Sequence, residues 1–231
     1  MEIKGFIGTS LLDYPKKIGS IVFLGGCDFK CPFCQNPDLI DGGKNFPSLS
    51  RETLMEELIT RKNFIDGVVL SGGEPTIHSE LPELIAEIKS IGFPVKLDTN
   101  GNNPEMIEKL LKEGLVDFIA MDVKTSFEKY SQAAGLPVDI QRIKKSIECI
   151  RLNAPDYEFR TTVVPTLVDE EDIQRIAEIC RGSKIFYLHQ FRSIITYDEE
   201  YEKIKSYTID VLENYKKILL STISEVYIRG L

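Results

Sequence analysis

With 231 residues, 42% of them hydrophobic and 28% charged, the chain has the make-up of a soluble globular protein long enough to bury one sizeable core. A formal net charge of −8 and an isoelectric point near 5.0 argue against a nucleic-acid footprint, which needs a basic face. No apolar run approaches the roughly 20 residues of a membrane span, Met1-Glu-Ile-Lys-Gly5 lacks the layout of a signal peptide, and five cysteines with three clustered suit a reducing compartment, so a cytoplasmic protein is expected.

Along the chain, apolar strand-like runs alternate with segments of helical period. Glu2–Thr9 is positioned to form a hairpin with the first of six predicted strands, which cover Ser20–Leu24, Gly67–Leu70, Pro94–Leu97, Asp117–Met121, Glu158–Val164 and Lys184–Leu188. Helices are expected near 50–62, 79–91, 104–113, 139–151 and 169–181; Ser50 and Asp169 supply N-caps, and Glu56 and Asp172 acids near the starts of the same helices. A long helix near 198–220 and a strand at Glu225–Ile228 are left over. Strand–helix alternation implies parallel strands with right-handed crossovers. A full eight-unit barrel typically takes about 250 residues, so the expectation is a partial (β/α)6 barrel. It forms one domain over 1–231, with the hairpin in 1–25 and the helix and strand in 198–231 as additions. A doubly wound open sheet has the same periodicity and stays open as the alternative.

The polar clusters fall at the ends of these strands. Cys27, Cys31 and Cys34 follow the first, Ser71-Gly-Gly-Glu74 the second, Asp98-Thr-Asn-Gly101 the third and Met121-Asp-Val-Lys124 the fourth; Thr162 and the Val164-Pro165 turn close the fifth, and His189-Gln190 the sixth. Parallel α/β folds bind ligands at the carboxyl ends of their strands, so the six clusters converge on one pocket.

The cysteines, spaced C-x3-C-x2-C, count one short of a complete metal site. A [4Fe–4S] cluster usually takes four thiolates and structural zinc four nitrogen or sulfur ligands, so three leave one metal position free for an exogenous ligand. A zinc knuckle completed by a distant histidine is the competing interpretation. Cys149 and Cys180 stand alone in helical patterns and suit packing roles. In Ser71-Gly-Gly-Glu74-Pro75, two positions without side chains let backbone approach a ligand, and a carboxylate can accept from an ammonium. Of the two histidines, His78 precedes a helix and suits a loop or cap, whereas His189 ends a strand and is expected to point into the pocket. Arg160 can serve a ligand or pair with an acid.

The triplet with Phe33 before its third cysteine resembles the signature of the radical S-adenosylmethionine (SAM) enzymes. Gly72-Gly73-Glu74 is similar to their Gly-Gly-Glu motif, and Asp98-Thr-Asn-Gly101 with Asp122-Val-Lys124 to motifs of the glycyl-radical-enzyme activases, although Met121 stands where a leucine is expected. Gly5–Ile18, Val22–Cys27, Cys34–Asp38 and Val226–Gly230 resemble the anaerobic ribonucleoside-triphosphate reductase activating proteins, with Lys16-Lys17 departing from the expected turn.

The resemblance implies a [4Fe–4S] cluster on Cys27, Cys31 and Cys34. It also implies SAM contacts from Phe33, Gln35, Gly72, Gly73, Glu74, Asp98, Asp122, Lys124 and His189, and a monovalent cation held by the two aspartates. The expected partners are flavodoxin or ferredoxin as electron donor and a glycyl radical enzyme, either anaerobic ribonucleotide reductase or a pyruvate formate-lyase type. A small-molecule enzyme similar to 7-carboxy-7-deazaguanine synthase is the second enzymatic reading, and an iron–sulfur electron carrier, which needs a fourth thiolate, the third.

Overall fold

The computed structural model describes all 231 residues. Eight strands make one sheet: β1 (Ile3–Ser10), β2 (Gly19–Leu24), β3 (Gly67–Gly72), β4 (Val95–Thr99), β5 (Phe118–Asp122), β6 (Tyr157–Val163), β7 (Ile185–Gln190) and β8 (Glu225–Arg229). Their order in space is their order in sequence. β1 runs antiparallel to β2 as the expected hairpin, and every later pairing, from β2–β3 to β7–β8, is parallel.

That order decides between the two candidate architectures. A doubly wound sheet reverses strand order at a switch point, which sends helices to both faces. Here no reversal occurs, so right-handed crossovers all place their helices on the same face. The sheet curls with helices outside and a lumen inside, and β1 and β8 remain as its two edges, β1 bridged at Ile3 by Leu49. The strand expected as a leftover is thus a seventh parallel strand.

The helices are α1 (Pro37–Ile40), α2 (Arg51–Thr60), α3 (Leu81–Ser90), α4 (Pro104–Lys112), α5 (Tyr130–Ala134), α6 (Ile140–Asn153), α7 (Glu170–Ile179) and α8 (Ile209–Leu219). Ser50 caps α2 through the Thr53 amide, and Asp169 with Asp172 makes a reciprocal capping box on α7. The long helix expected near 198–220 is two pieces: a 3-10 turn at Glu199–Lys203, then α8. The mostly charged run 198–203 has no apolar face to bury, which removes what stabilises a helix in a protein.

Alternation along the strands separates the two faces of the sheet. Val22, Leu70, Leu97, Ile119, Phe159 and Leu188 point outward into a core of 48 buried residues shared with the helices. The lumen holds a second cluster of five: Tyr14, Ile21, Val69, Phe118 and Ala120. Tyr14, from the β1–β2 connection, plugs the amino-terminal end of the lumen. Its ring lies 6.1 Å from that of Phe118, and a Cβ on Gly67 would come within 2.8 Å of it.

Candidate active site

At the opposite end, the carboxyl ends of the strands surround a cavity of about 190 Å³. The loop after β2 brings the three cysteines there as free thiols, beside Phe33 and Gln35. Its course is held from every side. Gly26 and Cys27 donate their amides to Leu39 and Ile40 of α1 at 2.7 and 3.1 Å, and Lys30 donates to Ala134 of α5 at 2.8 Å. A ring nitrogen of His78 lies 2.9 Å from the Gly25 carbonyl. Asn100 and Asn102 each donate a side-chain amide to Asp28, at 2.8 and 2.7 Å, tying the cysteine loop to the end of β4.

Burial pushes the Cys27 thiol up to about 12 and Cys31 up to about 11, and raises Cys34 as well, with the Lys124 ammonium opposing at all three. Thiols so placed become thiolates when a metal supplies the positive charge. Cys149 lies on α6 and Cys180 in the helix-facing core, so neither joins the cavity. Three clustered thiols with no fourth suit a cluster that keeps one iron for another ligand.

The Gly72-Gly73-Glu74 turn buttresses this loop. Gly72 has φ +121°, and a Cβ there would fall 2.3 Å from the Leu24 carbonyl oxygen; one on Gly73 would fall 2.0 Å from that of Gly26. The need for glycine at position 73 therefore comes from the backbone of the cysteine loop, where the sequence suggested a ligand. Glu74, 1% exposed, accepts from the amide and hydroxyl of Thr76, the hydroxyl of Thr99 and the amide of Asn100 at 2.6–3.1 Å. Burial nonetheless pushes its carboxyl up to about 7. Its carboxylate joins the turn to β4, leaving the turn's backbone to meet a ligand.

Across the lumen runs an alternating series of charges. Asp122 and Arg160 are cross-strand partners in the β5–β6 register, so their side chains share a face and pair directly. Arg160 also reaches Asp98 at 3.4 Å, Lys124 pairs with Asp122 at 2.8 Å, and Lys96 pairs with Asp98. Ser71 donates to Oδ2 of Asp98 at 3.2 Å. Burial alone would raise both aspartates, but Arg160 with Lys96 holds Asp98 low and Arg160 with Lys124 holds Asp122 well below the usual carboxylate range. All four carboxylate oxygens face a cationic partner, so a monovalent cation between the aspartates would have to share oxygens that are already paired.

His189 does not itself line the cavity but lies in register with Thr162 of β6, which does, and with Arg229 of β8. Its Nε2 is buried without a partner, and burial, reinforced by Arg160, lowers its pKa to about 4. The structure thus gathers the cysteines, Phe33, Gln35, Gly72, Gly73, Glu74, Asp98, Asp122 and Lys124 around the cavity, with His189 beside them. Sequence reasoning missed Asp28, Asn100 and Asn102 as a clamp, and Lys96. The signal for Lys96 was its spacing: two residues before Asp98 on a strand puts both on one face.

Comparison with known proteins follows the same lines. A family model for the radical SAM superfamily matches residues 21–181. A Methanocaldococcus jannaschii protein named as a glycyl-radical enzyme activating enzyme is 38% identical over 234 aligned positions, covering 98% of this chain and 95% of that one. The pyruvate formate-lyase-activating enzyme of Clostridium pasteurianum is 31% identical over 191 positions, 78% of this chain and 76% of its own. Among solved structures, Streptococcus suis SuiB bound to S-adenosylmethionine superposes with a TM-score of 0.69 at 17% identity, over 91% of this chain and 49% of SuiB, a likeness of fold alone.

Proposed function

We propose that this chain, which belongs to the radical SAM superfamily and within it to the glycyl-radical enzyme activating enzymes, generates a glycyl radical on a partner enzyme from the cavity at the carboxyl ends of its strands. The observation that carries this is the meeting there of three thiols, without a fourth, and a charge series able to receive a carboxylate. Cys27, Cys31 and Cys34 would hold a [4Fe–4S] cluster, and the backbone of the Gly72–Glu74 turn would receive the amino end of SAM. Lys124 and Arg160 offer positive charge to its carboxylate. His189, neutral above about pH 4 and with Nε2 free, suits a hydrogen bond to adenosine, while Phe33 and Gln35 border the same space. Bound and reduced, such a cluster would supply the one electron needed to cleave SAM to methionine, with the hydrogen atom of a glycine Cα leaving on 5′-deoxyadenosine.

The remaining work of the chain is positioning and exclusion of water. The sheet is open, since β1 and β8 do not pair with each other, and that leaves a side through which a protein loop can enter. We take that loop to belong to an anaerobic ribonucleoside-triphosphate reductase, with flavodoxin or ferredoxin as electron donor. The resemblance of Gly5–Ile18 and Val226–Gly230 to the activating proteins of those reductases supports the choice over pyruvate formate-lyase.

The test is anaerobic electron paramagnetic resonance. Reduced, cluster-loaded protein with SAM and a reductase or lyase should yield a glycyl radical that disappears when the target glycine is changed to alanine, while SAM cleavage continues. Signal with the lyase alone would reassign the partner. No signal with any glycyl radical enzyme, together with stoichiometric turnover of a small molecule, would sink the activase reading.

A further inference from the structure

Lys96 is 1% exposed in the lumen and has one anionic partner, Asp98. A buried ammonium is costly to hold unless its charge is used, and a leucine or methionine would fill the same space beside Phe118, whose ring lies 5.9 Å from Nζ. Lys96 does not line the cavity; it backs Asp98 from one pleat below, and Asp98 does line it.

The charge count around it is specific. Two carboxylates, Asp98 and Asp122, face three cationic groups, Lys96, Lys124 and Arg160. One positive charge is in excess, enough to match a single incoming carboxylate. Without Lys96 the series would be neutral, and a carboxylate arriving beside Asp98 would meet a like charge left to share Arg160 with Asp122. A diffusible monovalent cation could supply that charge. With Lys96 in place, Oδ1 of Asp98 already has an ammonium beside it and the charge is supplied from within the chain.

We infer that the Lys96 ammonium is a built-in counter-ion that makes SAM binding by this chain independent of monovalent metal cations. The inference rests on the reading of the cavity as a SAM site, and it assigns Lys96 as a positioning residue acting through Asp98.

The test is the dissociation constant of SAM for the anaerobic cluster-loaded protein, measured by equilibrium dialysis in sodium, potassium and tetramethylammonium chloride at equal ionic strength. Wild-type affinity should be the same in all three salts within about twofold. Lys96→Met should bind SAM about tenfold more weakly in tetramethylammonium and recover when sodium or potassium is added. Wild-type protein that binds SAM only with an alkali cation present would overturn the inference alone; protein that binds no SAM in any salt would overturn the reading of the cavity with it. A variant weakened equally in every salt, or not weakened at all, would reduce Lys96 to a structural residue and also overturn the inference. Lys96→Gln serves where the methionine variant loses its cluster, and if neither holds it the wild-type salt series decides.

Discussion

On its helix-facing side the sheet meets a continuous core of 48 buried residues, whereas its lumen side carries five apolar ones at the plugged end and, beyond them, Lys96, Asp98, Arg160, Asp122 and Lys124 in alternating charge. The same strands supply both faces, since neighbouring residues point opposite ways. Burial outward yields stability through removal of apolar area from water. Burial inward holds groups whose charges are worth having only if something binds there, because replacing paired buried ions by apolar residues is often neutral or stabilising.

The largest way to break this contrast is Arg160→Met. It strips a partner from Asp98 and Asp122 together, and losing one member of a buried ionic set typically costs about 3–5 kcal/mol. Urea unfolding should show that loss, and the folded remainder should no longer bind SAM. A change under about 1 kcal/mol, within the range of surface pairs, would mean that the series is solvated.

Leu70→Ala acts on the other face of β3, with Leu70 fully buried among the outward residues. A loss of about 2–5 kcal/mol is expected from the cavity left behind, again read by urea unfolding. At a temperature where the variant stays folded, its SAM affinity should match the wild type. Equal damage to binding from Leu70→Ala and Arg160→Met would erase the division of labour between the faces.

His189 gives the contrast a pH axis. Its folded pKa, lowered to about 4, lies below the 6.5 of a free histidine, so above pH 6.5 neither state is protonated and the residue is neutral to stability. As pH falls from 6.5 towards 4 the unfolded chain takes up a proton that the folded lumen refuses, and the fold loses up to about 3 kcal/mol. His189→Gln should flatten that part of the pH–stability curve for the metal-free protein. Curves that stay parallel between pH 6.5 and 4 would place the imidazole in water.

Much of this was legible in the sequence for a physical reason. Strands such as Val68–Leu70 and Ile119–Met121 announce themselves by apolar runs, and their polar ends, from Cys27 to His189, fall on one rim because parallel connections bring every carboxyl end to the same side. What escaped was whatever depends on cross-strand neighbours. Arg160 could not be assigned to Asp122 before the β5–β6 register was known, and Lys96 was not singled out because its burial shows only once both faces of β4 are covered. Gly73 was marked for the approach of a ligand, and the structure adds a second constraint that the sequence did not show, the Gly26 carbonyl on which a Cβ there would fall. The broken helix after β7 was missed because a charged run scores well for helix while giving it nothing to pack on.

The smallest expected effect is that of Cys149→Ala, half-buried on α6 at the edge of the helix-facing core and outside the charged lumen: stability within about 1 kcal/mol of wild type and iron content unchanged after reconstitution. Iron lost in that variant while the fold persists would supply the missing fourth ligand and turn the site into an electron carrier.

The central claim, that three thiolates hold a cluster with one iron left for SAM, is tested most directly by Mössbauer spectroscopy of the 57Fe-reconstituted protein with and without SAM. One iron of the four should change its signal when SAM is added while three stay as they were. Four irons unmoved by saturating SAM, or a reconstituted site that holds zinc and no cluster, would contradict the account.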